Sequence, residues 1–219
     1  MDTIGEAQVT QFFSNALQDE IQKKWGHNAI FLFGNFAGKQ DKKFADFFAG
    51  TRSKNILIEF KESKRNLKDE LRKPLRESLC FTLNDEIATL SRKCHFAAWR
   101  EREKDVKGDV NISINIIPYI DEVCKQFGDL PRVVKNLLMK HYPTFHERFI
   151  EKFLLDEVGV SYTEFKDYIN HLSEIANCKD RDNFKAVLYS RDNNTQKLRG
   201  TQFSNLNQAL ELINLNPPI

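Results

Sequence analysis

An apolar segment that ends in charged residues, at positions 55–62, most limits how this chain can fold. It has the sequence Asn-Ile-Leu-Ile-Glu-Phe-Lys-Glu, and its β-branched residues favour a strand. Because side chains alternate across a strand, Glu59 and Lys61 are predicted to project from one face. Unpaired buried charge is costly, so this placement indicates a functional site. The alternative is an exposed pair on a solvent-facing side of the sheet.

The segments before this strand predict a helix followed by three antiparallel strands. Apolar residues recur at helical spacing from Thr3 to Trp25, and Gly26 ends the pattern. Strands are predicted at residues 29–36, 43–50 and 55–63, separated by polar turns.

Asp46 lies on the second of these strands, one strand before Glu59. Two carboxylates that converge from neighbouring strands would bind a hard divalent cation such as Mg²⁺ or Mn²⁺. Lys61 would then lie beside that cation. The three residues therefore predict a metal site at one end of the sheet.

Residues 65–79 carry a leucine stripe and a basic stripe at helical spacing. Pro74 either kinks this helix or begins a second one. The basic stripe either contacts a phosphate backbone or is the ordinary solvated face of an amphipathic helix. Its residues, with the lysine that precedes it, are Lys64, Arg65, Lys68, Arg72 and Arg76.

Further strands are predicted at residues 94–100 and 109–116, and short helices follow Pro118. Ser161 is predicted to cap a helix that runs to Ile175. A hairpin is predicted at residues 184–203, and a last helix at 206–213. We therefore predict an α/β core over residues 1–120 and a mainly helical C-terminal addition with a hairpin over residues 121–219.

Composition limits the class of protein. The net charge of +2 does not indicate a nucleic-acid partner, so any basic surface must be local. No segment has the form of a membrane span or a signal peptide, which predicts a cytoplasmic protein without a membrane partner. The cysteines show no metal-site spacing and are predicted to be reduced thiols rather than a disulfide framework. They are Cys80, Cys94, Cys124 and Cys178.

The order of these parts resembles the PD-(D/E)xK nuclease superfamily, which has the restriction-endonuclease-like fold. Asp46 matches the motif aspartate, and Glu59-Phe60-Lys61 matches the (D/E)xK tripeptide on the next strand. The residue before Asp46 is Ala45 rather than proline, which departs from the motif. The same tripeptide recurs as Glu164-Phe165-Lys166 in a segment of helical spacing, so the resemblance depends on the whole arrangement over about residues 1–116.

The resemblance implies a mixed central sheet flanked by helices and a metal-dependent nuclease acting on DNA, with endonuclease activity favoured. It implies that Asp46 and Glu59 bind Mg²⁺ or Mn²⁺, and that Lys61 orients or deprotonates the attacking water or stabilises the developing charge. Superfamily members often add a glutamate from the first helix. Glu6 and Glu20 are the candidates. Helix and strand dimensions point to a position near Phe12, between them, and Glu6 is favoured because the start of the strand and the end of the helix need not coincide.

Two other functions are considered beside the nuclease. One is an inactive module of the same fold that binds nucleic acid or a protein partner. The other is a purely structural interaction protein. If the chain is a nuclease, a homodimer or a targeting protein is expected to direct it, and antiviral defence is the favoured pathway.

Overall fold

A computed structural model describes residues 5–26, 31–36, 45–51, 53–104, 110–175, 186–191, 197–203 and 211. Every helix within these residues is too short or too polar to span a bilayer. The helices are α1 (Glu6–Trp25), η1 (a 3₁₀ helix, Lys64–Arg72), α2 (Pro74–Phe81), α3 (Asp85–Cys94), α4 (Tyr119–Val123), η2 (Cys124–Gln126, 3₁₀), α5 (Arg132–Leu137), α6 (His146–Leu154) and α7 (Tyr162–Ile175). The strands are β1 (Leu32–Phe36), β2 (Phe47–Gly50), β3 (Asn55–Lys61), β4 (His95–Lys104), β5 (Val110–Pro118), β6 (Thr144–Phe145), β7 (Ala186–Arg191) and β8 (Leu198–Phe203).

The strands of the described residues form one mixed sheet, which confirms the α/β class. Their order is β6-β5-β4-β3-β2-β1-β7-β8. Strands β3 and β4 are parallel, and the other neighbouring pairs in this part of the chain are antiparallel. A parallel pair needs a crossover connection, which η1, α2 and α3 provide here.

The predicted meander of three antiparallel strands is confirmed. Asn35 of β1 lies opposite Phe47 of β2, and Phe47 lies opposite Ile58 of β3. Strand β2 is shorter than predicted, because Asp46 lies in a bend directly before it. The Asp46 side chain accepts a hydrogen bond from the Phe60 N–H at 2.7 Å, where the ladder between β2 and β3 has ended.

Strand β3 is buried along its whole length because helices cover both faces of the sheet. On one face, Ile56, Ile58 and Phe60 belong to an apolar cluster with one stripe of α1. Leu57 faces the other side and belongs to a cluster with residues of α2, α3 and α7. Burying one large apolar side chain contributes about 1.5–3 kcal/mol, so these two layers fix the position of β3. The stripe of α1 consists of Val9, Phe13, Leu17 and Ile21.

Of the two alternatives for Pro74, the second is observed, because α2 begins at this residue. Proline is tolerated in the first turn of a helix, because N–H groups there have no hydrogen-bond acceptor within the helix. The residues before it form the 3₁₀ helix η1 instead of a continuous α-helix. This break changes which side chains of the segment face the core.

The C-terminal segments add strands at both edges of the sheet. Strand β6 pairs with β5, and the predicted hairpin is present as β7 and β8, with β7 beside β1. The predicted helices after Pro118 are also present, including α7 with its cap at Ser161. The division at residue 120 stays a prediction, and the predicted last helix lies outside the described residues apart from residue 211.

The prediction that the cysteines are reduced is wrong for Cys80 and Cys124, which form a disulfide between α2 and η2. They are 44 residues apart in sequence, and their Cα atoms are 5.3 Å apart. Spacing along the chain gives no sign of such a pair, because only the packing of the two helices brings the cysteines together. Reduced thiols are typical of cytoplasmic proteins, so the disulfide removes this support for the predicted cytoplasmic location. Cys94 is buried without a disulfide partner among the described residues, and Cys178 lies outside them.

Candidate functional site

The three residues of the predicted site converge at the C-terminal end of β3. The Lys61 Nζ atom lies 2.7 Å from Glu59 Oε1 and 3.9 Å from Asp46 Oδ2. Glu59 and Lys61 share a face of β3, as alternation across a strand predicts. Asp46 joins them because β2 ends its pairing with β3 just before this point.

Glu6, the candidate favoured over Glu20, also reaches this cluster. It lies in the first turn of α1, and its Oε2 atom is 3.3 Å from Lys61 Nζ. Glu20 instead forms an ion pair with Lys23 at 2.5 Å. Glu20 is almost four helical turns, or about 21 Å, further along α1, so one helix cannot bring both residues to the same end of the sheet.

Three further charged residues complete the cluster, and the sequence reasoning did not assign them to it. Lys73 Nζ lies 2.7 Å from both Glu59 Oε1 and Glu70 Oε1. Arg76 lies 3.2 Å from Glu59 Oε2 and 3.1 Å from Glu70 Oε2. Glu70 Oε1 is also 3.2 Å from Lys61 Nζ.

The 3₁₀ geometry of η1 explains why Glu70 was missed. Side chains three residues apart lie on one face of a 3₁₀ helix, so Leu67 and Glu70 point inward together. Both are buried. No role at the site was predicted for Glu70, because the segment was interpreted as an α-helix with a leucine stripe and a basic stripe. A signal was present, because Glu70 is three residues after a core leucine.

The predicted basic stripe is divided by Pro74. Arg76 lies in the first turn of α2 and is 1% exposed, so it faces the cluster and not the solvent. Lys64 contacts Glu122 at 3.4 Å and lies over the Trp99 ring. The members of the stripe that are exposed to solvent are Lys64, Arg65, Lys68 and Arg72.

The cluster holds four carboxylates and three cations, so it carries a formal charge of −1 when all are ionised. Burial and the neighbouring Glu59 raise the pKa of Asp46 well above its usual range. Burial and Glu70 also raise the pKa of Glu59. Burial acts on Glu70 in the same direction, but Arg76 and Lys61 outweigh it and hold the pKa of Glu70 below its usual range.

Lys61 stays charged in this environment. Burial alone would lower the pKa of its amine, but the carboxylates of Glu59, Asp46 and Glu70 outweigh burial and raise that pKa. A buried ammonium is stable only with such partners. In the metal-free protein Lys61 is therefore a donor of hydrogen bonds.

A packed aromatic wall lies behind Glu70. The Tyr119 hydroxyl donates to Glu70 Oε2 at 2.9 Å, and the Tyr119 ring stacks on His95 at 4.2 Å between centroids. His95 Nδ1 lies 2.8 Å from the hydroxyl of Tyr168. These residues are buried, so the inner side of the cluster is packed against buried neighbours.

Solvent reaches the cluster at Glu6, Lys73 and Asp46, whose side chains are 45%, 21% and 16% exposed. The side chains of Glu59 and Glu70 are both 0% exposed. A separate surface groove of about 590 Å³ lies between α1 and α6, and none of its lining residues belongs to the cluster.

The oxygen donors of the cluster suit a hard divalent cation such as Mg²⁺ or Mn²⁺. Among the described residues, however, no three acidic, histidine or cysteine side chains are grouped to hold a metal ion as they stand. The carboxylates of Glu6, Asp46 and Glu59 surround the ammonium of Lys61 instead. The donor chemistry fits a metal, provided that this ammonium moves.

Comparisons of the chain with protein-family models, with curated proteins and with solved structures found no match. The relation to the PD-(D/E)xK superfamily therefore stays a prediction. What the chain can do must be argued from the chemistry of its own residues.

Proposed function

We propose that the protein is a metal-dependent nuclease that hydrolyses phosphodiester bonds in DNA as an endonuclease. The observation that carries this proposal is the convergence of Glu6, Asp46, Glu59 and Lys61 within 4 Å of one point at the end of β3. Three carboxylates can supply oxygen ligands to a divalent cation, and an amine beside them can stabilise charge during phosphodiester hydrolysis.

The order and pairing of the elements add support. A helix precedes an antiparallel meander of three strands, and a helical crossover leads to a strand parallel to β3. The PD-(D/E)xK resemblance implies the same α-β-β-β-α-β order. Within this order, Asp46 lies directly before the second strand of the meander and Glu59-Phe60-Lys61 ends the third, which supports the resemblance.

Each residue has a role that follows from its chemistry. Asp46, Glu59 and Glu6 offer oxygen ligands for Mg²⁺ or Mn²⁺. A bound metal ion would polarise the scissile phosphate and lower the pKa of a bound water. Lys61, held as an ammonium, would orient that water or stabilise the negative charge that develops on the phosphate.

The exposed basic residues of η1 are proposed to contact the phosphate backbone of DNA. Arg65 and Lys68 are three residues apart, so they share one face of a 3₁₀ helix. This helix begins three residues after Lys61, which places the basic face next to the cluster. Arg76 is excluded from this role because it is buried.

Cleavage of supercoiled plasmid DNA with Mg²⁺ or Mn²⁺ tests the proposal. We expect wild type to cleave, and Lys61→Ala to lose about 100-fold or more of the rate, since charge stabilisation at a reacting group contributes this much. Lys166→Ala is the matched control, because Lys166 ends the second Glu-Phe-Lys copy and is exposed. Equal cleavage by wild type and Lys61→Ala, or none by wild type, would contradict the proposal.

A second candidate is an inactive module of the same fold that binds nucleic acid. The observation that favours it is that both carboxylate oxygens of Glu59 are already in ion pairs, with Lys61, Lys73 and Arg76. This candidate predicts DNA binding without cleavage. Arg65→Ala should then weaken binding and reduce its salt dependence by about one released counterion.

Predictions about biology rest on the same proposal. A homodimer or a targeting protein is still expected to direct the nuclease, and antiviral defence is still the favoured pathway. Both predictions depend on the cleavage test, because neither a targeting partner nor a defence pathway is expected of a protein that does not cleave DNA.

A further inference from the structure

A single ammonium group lies among four carboxylates in the cluster. Lys61 Nζ is 2.7 Å from Glu59, 3.2 Å from Glu70, 3.3 Å from Glu6 and 3.9 Å from Asp46. The four carboxylates come from α1, the bend before β2, β3 and η1. Several carboxylate oxygens around one point are the environment that hard divalent cations prefer.

We propose that the Lys61 ammonium occupies the cation position of this site in the metal-free protein, and that Glu70 retains the ammonium when a divalent cation binds to Glu6, Asp46 and Glu59. The inference rests on the proposed function only in taking a divalent cation as the ligand of the site. It concerns binding and not cleavage.

The exposure of the carboxylates sets the direction of this exchange. Glu6 and Asp46 are the members that solvent reaches, whereas the side chains of Glu59 and Glu70 are fully buried. A cation that arrives from solvent therefore meets Glu6 and Asp46 first. Since like charges repel at such short distances, the ammonium must move away from these two carboxylates and toward the inner side.

Glu70 is fixed where it can receive the ammonium. Arg76 Nε donates to its Oε2 at 3.1 Å, and the Tyr119 hydroxyl donates to the same oxygen at 2.9 Å. Its other oxygen, Oε1, faces Lys61 and Lys73. Because its neighbours hold it on the inner side, Glu70 is a positioning residue for Lys61 and not a ligand of the incoming cation.

Lys73 offers a matched control within the same cluster. Its ion pairs go to Glu59 and Glu70, whereas Lys61 also reaches Glu6 and Asp46. Lys73→Met therefore removes one positive charge without vacating the point that the three outer carboxylates share. Lys61→Met removes the same charge and vacates that point.

Isothermal titration of Mn²⁺ into the full chain, without nucleic acid, tests the inference. We expect Lys61→Met to bind Mn²⁺ about tenfold more tightly than wild type, and Lys73→Met to change the affinity much less. Glu70→Gln should weaken Mn²⁺ binding about tenfold in wild type, because Lys61 is then held only by the carboxylates that the cation needs. In the Lys61→Met background, Glu70→Gln should have no effect.

Any of four results would overturn the inference, and the first is a Lys61→Met variant that binds Mn²⁺ no more tightly than wild type. Equal gains for Lys61→Met and Lys73→Met would show a general effect of charge, and an equal loss for Glu70→Gln in both backgrounds would show that Glu70 does not act through Lys61. Absence of Mn²⁺ binding by every folded variant would show that there is no cation position. If circular dichroism shows that Lys61→Met does not fold, Lys61→Gln replaces it.

The titration and the cleavage assay fail independently. A wild type that shows this pattern of Mn²⁺ binding but cleaves no DNA supports the inference and contradicts the proposed function. A wild type that cleaves DNA, with Lys61→Met binding Mn²⁺ no more tightly, contradicts the inference alone.

Discussion

The tripeptide Glu-Phe-Lys occurs twice in this protein, and its two copies have different environments. In the first copy, on β3, Glu59 and Lys61 are buried on one face and form an ion pair at 2.7 Å. In the second copy, on α7, Lys166 is exposed, and Glu164 accepts hydrogen bonds from Ser161 at the start of the helix.

The difference follows from the period of the secondary structure. Residues two apart lie on the same face of a strand but about 200° apart around a helix. The phenylalanine is buried in both copies, Phe60 on the α1 side of the sheet and Phe165 on the opposite side. The charged neighbours of the phenylalanine are therefore buried on β3, where both faces of the strand are covered. On α7 one face of the helix is open to solvent, and Lys166 is exposed there.

The largest expected effect is the loss of a carboxylate from the first copy. Glu59→Ala leaves Lys61, Lys73 and Arg76 with Glu70 as their main buried partner, so we expect the free energy of unfolding to fall by about 3–5 kcal/mol. Urea denaturation followed by circular dichroism measures this change. A loss below 1 kcal/mol would mean that the buried ion pairs do not stabilise the fold, and the two copies would then differ in geometry but not in energy.

Reduction of the Cys80–Cys124 disulfide removes a covalent link that supports the helix carrying Arg76, a member of the first copy's cluster. The disulfide joins α2, which carries Arg76, to η2, which follows the Tyr119 helix. We expect reduction to lower the free energy of unfolding by about 2–4 kcal/mol. Thermal melts with and without dithiothreitol measure this, and the Cys80→Ser/Cys124→Ser variant should be insensitive to the reductant. Equal melting temperatures for oxidised and reduced wild type would contradict the prediction.

Asp46, which lies beside the first copy, should make the stability of the fold depend on pH. Its raised pKa means that the folded protein binds a proton more tightly than the unfolded chain does, so stability falls as pH rises from 3.8 through the folded pKa. We expect Asp46→Asn to be more stable than wild type at pH 8, by about 1 kcal/mol, in the presence of EDTA. The difference should vanish at acid pH, where the carboxyl is neutral in both states.

Glu70→Gln is the control variant, because the stability that Glu70 contributes should change with pH in the opposite direction to that of Asp46. The lowered pKa of Glu70 contributes stability that is present above the ordinary value of 4.5 and is lost as pH falls below it. Glu70→Gln should therefore be less stable than wild type at pH 8. Urea denaturation of both variants between pH 3 and pH 8 measures the two trends, and trends of the same sign would contradict the description of the cluster.

The smallest effect is expected in the second copy. Glu164 forms a capping box with Ser161, and these hydrogen bonds hold its pKa below the usual range. Glu164→Ala should lower the free energy of unfolding by about 0.5–1 kcal/mol, because it removes one exposed cap. A loss as large as that of Glu59→Ala would show that the matching tripeptides are energetically equivalent.

Local spacing was enough to predict the parts of the fold that depend on near neighbours. The helical stripe from Val9 to Ile21, the meander and the cap at Ser161 are all confirmed. The placement of Glu59 and Lys61 on one face of β3 also followed from alternation alone. The rise per residue of a helix and of a strand pointed only to a position near Phe12, and the choice of Glu6 over Glu20 needed the further assumption that the strand start and the helix end do not coincide.

Other features of the site were not predictable in this way. Arg76 was assigned to an exposed stripe because α-helical spacing was assumed to continue through Pro74, whereas the 3₁₀ helix η1 ends before it and α2 begins a new phase. Glu70 was missed because the 3₁₀ geometry of η1 turns it inward together with Leu67, and Lys73 was missed because it lies at the junction between η1 and α2. The disulfide was missed because its cysteines meet only after α2 and η2 have packed.

The sequence by itself determined which strand carries charge and which residues share a face, because alternation and helical period act over a few residues. The tertiary structure decided what surrounds Lys61, because its partners come from α1, the bend before β2, β3 and η1, up to 55 residues away in sequence. Distances across such separations depend on how layers pack and where loops turn. No periodicity in the chain encodes them.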